Sequence, residues 1–128
     1  MNPADELPVN DNNDAPARPI SNSTRIRPID ILCSTEPQYA VHRGNQDYAV
    51  TVSAYMLQHP HRDLERLQER VITSREIVEI CRARDARFLA KTRRGTWKDV
   101  GDELAVRWVS LHLRRMAENM AEAQDVLA

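Results

Sequence analysis

The fold is decided by Thr73 to Arg115: T-S-R-E-I-V-E-I-C-R-A-R-D-A-R-F-L (Thr73–Leu89), a basic linker, and T-W-K-D-V-G-D-E-L-A-V-R-W-V-S-L-H-L-R-R (Thr96–Arg115). Thr73 and Glu76 have the T-x-x-E spacing of a capping box ahead of Ile77, Ile80, Cys81 and Arg84. Asp85-Ala86 ends that helix. Arg87-Phe88-Leu89 then reads as a strand, Lys91 to Gly95 as a turn with Gly95 free to take positive φ, and Thr96 to Val100 as the return strand. Phe88 and Trp97 are expected as cross-strand or diagonal neighbours. Gly101-Asp102 opens a last helix with Asp102 as N-cap. Ala105, Val109, Leu113, Met116 and Met120 form its apolar stripe, and Leu104, Trp108 and Leu111 widen it. Glu103, Arg107, Ser110 and Arg114 take the opposite face.

Upstream, Pro28-Ile29-Asp30-Ile31-Leu32-Cys33 is short, apolar and Pro-bounded, which favours a strand. Asn45 is a plausible N-cap for a helix to Gln58, with Tyr48, Val52, Tyr55 and Met56 at helical spacing. His59-Pro60-His61 stops it. Asp63 caps the next helix, whose face carries Leu64, Leu67 and Val71. It runs to about Ala83 as one helix, or as two with a break near Thr73.

The expected fold class is therefore α+β: one small domain with a first strand, two or three helices, a β-hairpin and a long C-terminal helix. The chain divides into a disordered N-terminal arm (1–27), rich in Asn, Asp, Pro and Ser, the α+β domain (28–122) and a C-terminal tail (123–128). At 128 residues this is one domain's worth of chain. Phe88, Trp97, Val109, Leu113 and Ile77 are expected to meet in one core cluster.

No apolar run approaches a membrane span, and the acidic, Pro-bearing start lacks the apolar segment of a secretory signal. Two cysteines, Cys33 and Cys81, make no disulfide framework and are expected reduced. An intracellular protein, nuclear or cytoplasmic, follows as the expectation, with no membrane partner.

The formal net charge of −1 gives no general pull towards polyanions. Its distribution says more. Arg82 to Arg115 holds ten arginines and lysines against four acids, Asp85, Asp99, Asp102 and Glu103. A charged hairpin tip after a helix resembles in outline the wing of a winged-helix protein. Such a tip suits phosphate contacts, whose affinity comes mainly from counterion release. The candidate nucleic-acid-binding residues are Arg82, Arg84, Arg87, Lys91, Arg93, Arg94 and Lys98, with Arg107 and Arg114 on the last helix. The plainer reading is a solvated edge that keeps the hairpin from pairing with neighbours.

Trp97 and Trp108 are candidate base-stacking platforms, but both read first as core residues. His42, His59 and His61 have no Cys or carboxylate at a recognised zinc spacing, so no metal and no cofactor is expected. Cys33 with His42 lacks a third orienting group for nucleophilic catalysis. Paired carboxylates, phosphate-cradling loops and dinucleotide motifs are missing from the sequence. The function expected is a non-enzymatic, regulatory binding module for DNA or RNA. The alternative is a protein-interaction adaptor using the last helix or the hairpin edge.

The series D-I-L-C (from Asp30), H-x-G-N (from His42), R-F-L (from Arg87) and W-x-x-V-G-D (from Trp97), with Tyr48, Ile77, Val78, Arg82, Arg84, Ala105, Ser110, Leu113 and Arg114 between and after them, resembles a domain of unknown function abundant in diatoms and other stramenopiles. The resemblance spans Asp30 to Arg115 and implies a small α+β domain, often in proteins suspected to be nuclear or regulatory. The chain departs from that pattern in three places. Ser34-Thr35-Glu36 replaces a G-R-G, Asp85-Ala86 replaces a glycine pair, and Trp108 replaces a lysine.

Overall fold

A computed structural model describes residues 25–127. The expected disordered arm lies outside the described residues up to position 24. The elements are β1 (Ile31–Leu32), a 3-10 turn (Pro37–Val41), α1 (Arg43–Gln58), α2 (Leu67–Ala83), β2 (Phe88–Lys91), β3 (Trp97–Asp99) and α3 (Gly101–Leu127). The fold is α+β, with a three-stranded sheet in the order β1-β2-β3. β1 runs parallel to β2, pairing Ile31 with Phe88 and Leu32 with Leu89, and the two helices between them form the crossover. β2 and β3 are an antiparallel hairpin with Lys91 opposite Trp97 and Leu89 opposite Asp99.

Each helix buries one stripe. Tyr48, Val52 and Tyr55 face inward from α1, Ile77, Val78 and Cys81 from α2, and Ala105, Val106, Val109 and Leu113 from α3. Phe88 and Ile31 carry the sheet into this core. The stripe of α3 outruns the body: Met116 is half-buried and Met120 is exposed, as are Leu104 and Leu111. The helix also continues through Leu127, so most of the expected tail is helical.

Several local expectations are corrected. Helix α1 starts at Arg43 with His42 as its N-cap, three residues before the expected N-cap Asn45. Asn45 is used elsewhere: its Oδ1 accepts from the Leu32 N–H (2.7 Å) and its Nδ2 donates to the Leu32 carbonyl (3.0 Å). Gly44 makes this possible, because a Cβ there would lie 1.8 Å from the Asp30 carbonyl oxygen. Helix α2 starts at Leu67 and is unbroken at Thr73, which is buried mid-helix and accepts a hydrogen bond from Arg62 (2.9 Å). Its capping-box partner Glu76 instead meets the Tyr55 hydroxyl and Arg62. At the start of α3 the capping oxygen belongs to Asp99, whose Oδ1 accepts from the Gly101 N–H (2.9 Å), rather than to Asp102. Gly95 (φ 86°) and Gly101 (φ 79°) hold the left-handed turns at the two ends of β3.

Phe88 and Trp97 are not neighbours across the hairpin. Phe88 bonds back to Val100 and sits fully buried in the core, whereas Trp97 lies nearer the turn and packs edge-on against Tyr39 (centroids 5.3 Å apart). The expected cluster therefore forms without Trp97. Trp108 is half-buried against the core, 5.0 Å from the Tyr48 ring.

Candidate functional site

The structure divides the nine basic residues by what their side chains touch. Arg87 is committed to the fold. Its Nε and second terminal nitrogen donate to the two oxygens of Asp30 (3.0 and 2.7 Å). Asp30 is fully buried, and Arg27 adds its backbone N–H (2.7 Å) and a side-chain bridge (3.1 Å). Burial alone raises the Asp30 carboxyl, but the hydrogen bonds from Arg87 and Arg27 outweigh it and hold the group below its ordinary value. Arg27 also reaches the carboxylate and carbonyl of Asp85. Asp85 is the left-handed residue (φ 67°) that closes α2, with the Ala86 N–H returning to the Cys81 carbonyl. One carboxylate thus ties the chain before β1 to the turn before β2.

Arg82 is likewise matched. It bridges Asp99 (3.3 Å) and Asp102 (3.0 Å) and lies over the Phe88 ring at 5.5 Å, joining α2 to the start of α3. Arg84 donates to the Thr51 hydroxyl (2.6 Å), and Arg114 pairs with Glu118 along α3 (3.3 Å). The partners of Arg87 and Arg84, Asp30 and Thr51, come from elements remote in the chain, whereas Asp99 and Asp102 beside Arg82 lie within the basic run itself. Of the candidate binding residues, Arg82 and Arg87 are thus held by carboxylates within the fold.

Lys91, Arg93, Arg94 and Lys98 remain exposed on the hairpin, and Arg107 on α3. Among the described residues, neither Arg93, Arg94, Lys98 nor Arg107 makes a salt bridge. The tip is a tight turn. The Thr92 N–H donates to the Thr96 carbonyl (2.7 Å), the Gly95 N–H to the Thr92 carbonyl (2.9 Å), and the two threonine hydroxyls meet at 2.8 Å. Beside it, the Lys91 ammonium donates to the Tyr39 hydroxyl (3.2 Å) and lies over the Tyr39 and Trp97 rings at 5.8 and 5.7 Å. Tyr39 sits in the short 3-10 turn Pro37–Val41, too brief for a periodic pattern to mark it, and the sequence gives no sign of this contact.

A second feature invisible in the sequence is an open groove of about 460 Å³ between the 34–37 loop, α1 and α3. On it the Tyr48 hydroxyl and His112 Nδ1 lie 3.0 Å apart. Burial, then Arg115, lowers the His112 pKa. Two of the three departures from the family pattern, Ser34-Thr35-Glu36 and Trp108, line this groove.

The other candidates gain nothing from the geometry. His42 and His59 flank the two ends of α1, about 24 Å of helix apart. Among the described residues no group of three His, Cys, Asp or Glu is placed to hold a metal ion. Burial pushes the Cys33 thiol up to about 12 and raises that of Cys81, which disfavours the thiolate at both. Among the described residues no helix is long and apolar enough to cross a membrane.

The fold and its motifs define a small α+β domain in which a parallel strand pair is pinned by a buried aspartate and a hairpin feeds a long helix. The chain belongs to the family described as domain of unknown function DUF6824, whose model matches residues 30–115. No curated protein matches the chain. No solved structure matches it. The motif residues that carry the family resemblance do structural work here: Asp30 and Arg87 pair, Gly44 and Asn45 dock α1 on β1, and Gly101 opens α3. The tip residues Lys91 to Thr96 are not among them.

Proposed function

We propose that the domain is a regulatory binding module that grips the phosphate backbone of DNA or RNA with its hairpin tip. The observation that carries this reading is the turn from Thr92 to Thr96. Arg93 and Arg94 stand exposed there without a salt bridge among the described residues, with Lys98 on the adjoining strand. A polyanion that meets such exposed, unmatched cations sheds its own condensed counterions, which is the source of salt-dependent affinity. The paired Arg82 and Arg87 hold the hairpin in place and contribute little to such binding.

The test is affinity for mixed duplex and single-stranded DNA and RNA as a function of salt. The double change Arg93→Ala with Arg94→Ala should weaken binding at low salt. It should flatten the log-affinity against log-salt slope by about 0.9 for each duplex phosphate that the variant no longer neutralises. Stability should be nearly unchanged, because the charges are exposed. Failure of the unmutated protein to bind either nucleic acid at low ionic strength ends this reading. The adaptor reading then takes its place, favoured by the exposed Met120, Val126 and Leu127 on the protruding end of α3.

A further inference from the structure

The same turn carries a second chemical feature. Four serines or threonines in the chain have an arginine three positions upstream: Ser21, Thr73, Thr96 and Ser110. Only Thr96 has arginine at both three and two positions upstream, in Arg93-Arg94-Gly95-Thr96. Thr73 is fully buried in α2, Ser110 is half-buried within α3, and Ser21 lies outside the described residues. Thr96 is exposed. Among the described residues its hydroxyl hydrogen-bonds only to the hydroxyl of Thr92, and a Cβ on the glycine before it would meet open space. An enzyme that selects hydroxyls by pairing its own carboxylates with upstream arginines would find both arginines exposed and without a salt bridge among the described residues.

We infer that Thr96 is a phosphorylation site for a serine/threonine kinase with an acidic substrate groove, and that its phosphate neutralises the hairpin tip. In the step, the Thr96 hydroxyl oxygen attacks the γ-phosphorus of ATP. The bond from that phosphorus to the β–γ bridging oxygen breaks, ADP leaves with the electron pair, and the hydroxyl proton passes to the base of the kinase. The product carries about −1.5 to −2 charges at neutral pH and three acceptor oxygens beside Arg93, Arg94 and Lys98. Charge-assisted hydrogen bonds from the two guanidiniums then close on the phosphate of their own turn. The cations that the proposed function assigns to a nucleic-acid backbone become internally satisfied. That consequence rests on the proposed function; the modification itself does not.

The experiment treats the full 128-residue chain with ATP and the catalytic subunit of an arginine-directed serine/threonine kinase, and reads intact mass and the modified residue by fragmentation. A peptide of residues 88–100 serves as the unfolded comparison. Expected is one phosphate on Thr96, absent in Thr96→Val and incorporated at least tenfold more slowly in Arg93→Ala with Arg94→Ala. The Gly95 and Thr96 amide resonances of the product should shift with pH through the second phosphate ionisation near 6. Label on another residue overturns the inference. So does an unlabelled chain, whether or not the peptide is labelled. Where the unmodified chain binds nucleic acid, the modified chain should show a flatter salt slope. An unchanged slope overturns the neutralisation. An unmodified chain that binds nothing counts against the proposed function alone, since site and pH-dependent shifts are read without nucleic acid.

Discussion

Replacing Arg87 with alanine leaves Asp30 as a fully buried carboxylate deprived of two of its donors, at 3.0 and 2.7 Å. Removing one partner of a buried ion pair costs about 3–5 kcal/mol, because the remaining charge is neither solvated nor matched. Arg27 stays in place, with its backbone N–H at 2.7 Å and side-chain nitrogens at 3.1 and 3.3 Å from the carboxylate. The cost should therefore fall near the lower end, about 3 kcal/mol. In a domain of this size that corresponds to a drop of about 12–24 °C in melting temperature. Urea unfolding should show the loss as a lower midpoint at unchanged slope. Arg87→Lys should recover only part of it, since an ammonium cannot reproduce the two-pronged contact. A loss under about 1 kcal/mol, the scale of an exposed pair, would refute the argument that Arg87 is a structural residue and return it to the binding set.

The remaining expectations can be checked with the same unfolding assay. Gly44→Ala should destabilise by about 3 kcal/mol or more, because the new methyl meets backbone 1.8 Å away and must break the Asn45 contacts to clear it; an unchanged midpoint would show that α1 does not dock so closely. Phe88→Ala should cost about 3–5 kcal/mol and Trp97→Ala distinctly less, since Phe88 is fully buried while Trp97 lies outside the core cluster; equal losses would place Trp97 in the core after all. The Asp30 carboxyl is held below its ordinary 3.8, so its contribution is complete above that value and is lost as pH falls through the lower folded value. The stability gap between the native chain and Asp30→Asn should accordingly narrow from pH 7 to pH 3, and a constant gap would contradict it.

The sequence was most legible where local pattern and tertiary role coincide. The stripe of α1, the central members Ile77 and Cys81 of α2 and Ala105, Val109 and Leu113 of α3, and the glycine at the hairpin turn follow from spacing, whereas Leu67, Ile80, Leu104, Leu111 and Met120 are exposed and Val78 and Val106 are buried in their stead. Helix starts were less legible, because a residue suited to capping serves a better use elsewhere. Asn45 has the right side chain for a cap and commits both of its polar groups to Leu32. Thr73 and Glu76 have capping-box spacing yet stand inside a helix, meeting Arg62 and Tyr55. The charge run misled in the same way. Pairing with Asp30 across 57 residues leaves no local trace, so Arg87 looked as available as Arg93. The groove over Tyr48 and His112 joins residues 64 apart and could not be read from the chain.

The double contact from Asn45 has a consequence for how the sheet meets other chains. An outer strand normally offers alternating amide and carbonyl groups to any extended peptide that drifts alongside. With only two residues in β1, the outward-facing pair of Leu32 is already consumed by a primary amide, a side chain standing in for one residue of a neighbouring strand. Growth of the sheet by recruitment is blocked on that flank. Any augmentation must occur along β3, where only three residues are on offer and the middle one is Lys98, a charged and solvated side chain unfavourable to stacking copies. The polar turn thus projects from a sheet whose two edges are both poor templates for strand pairing.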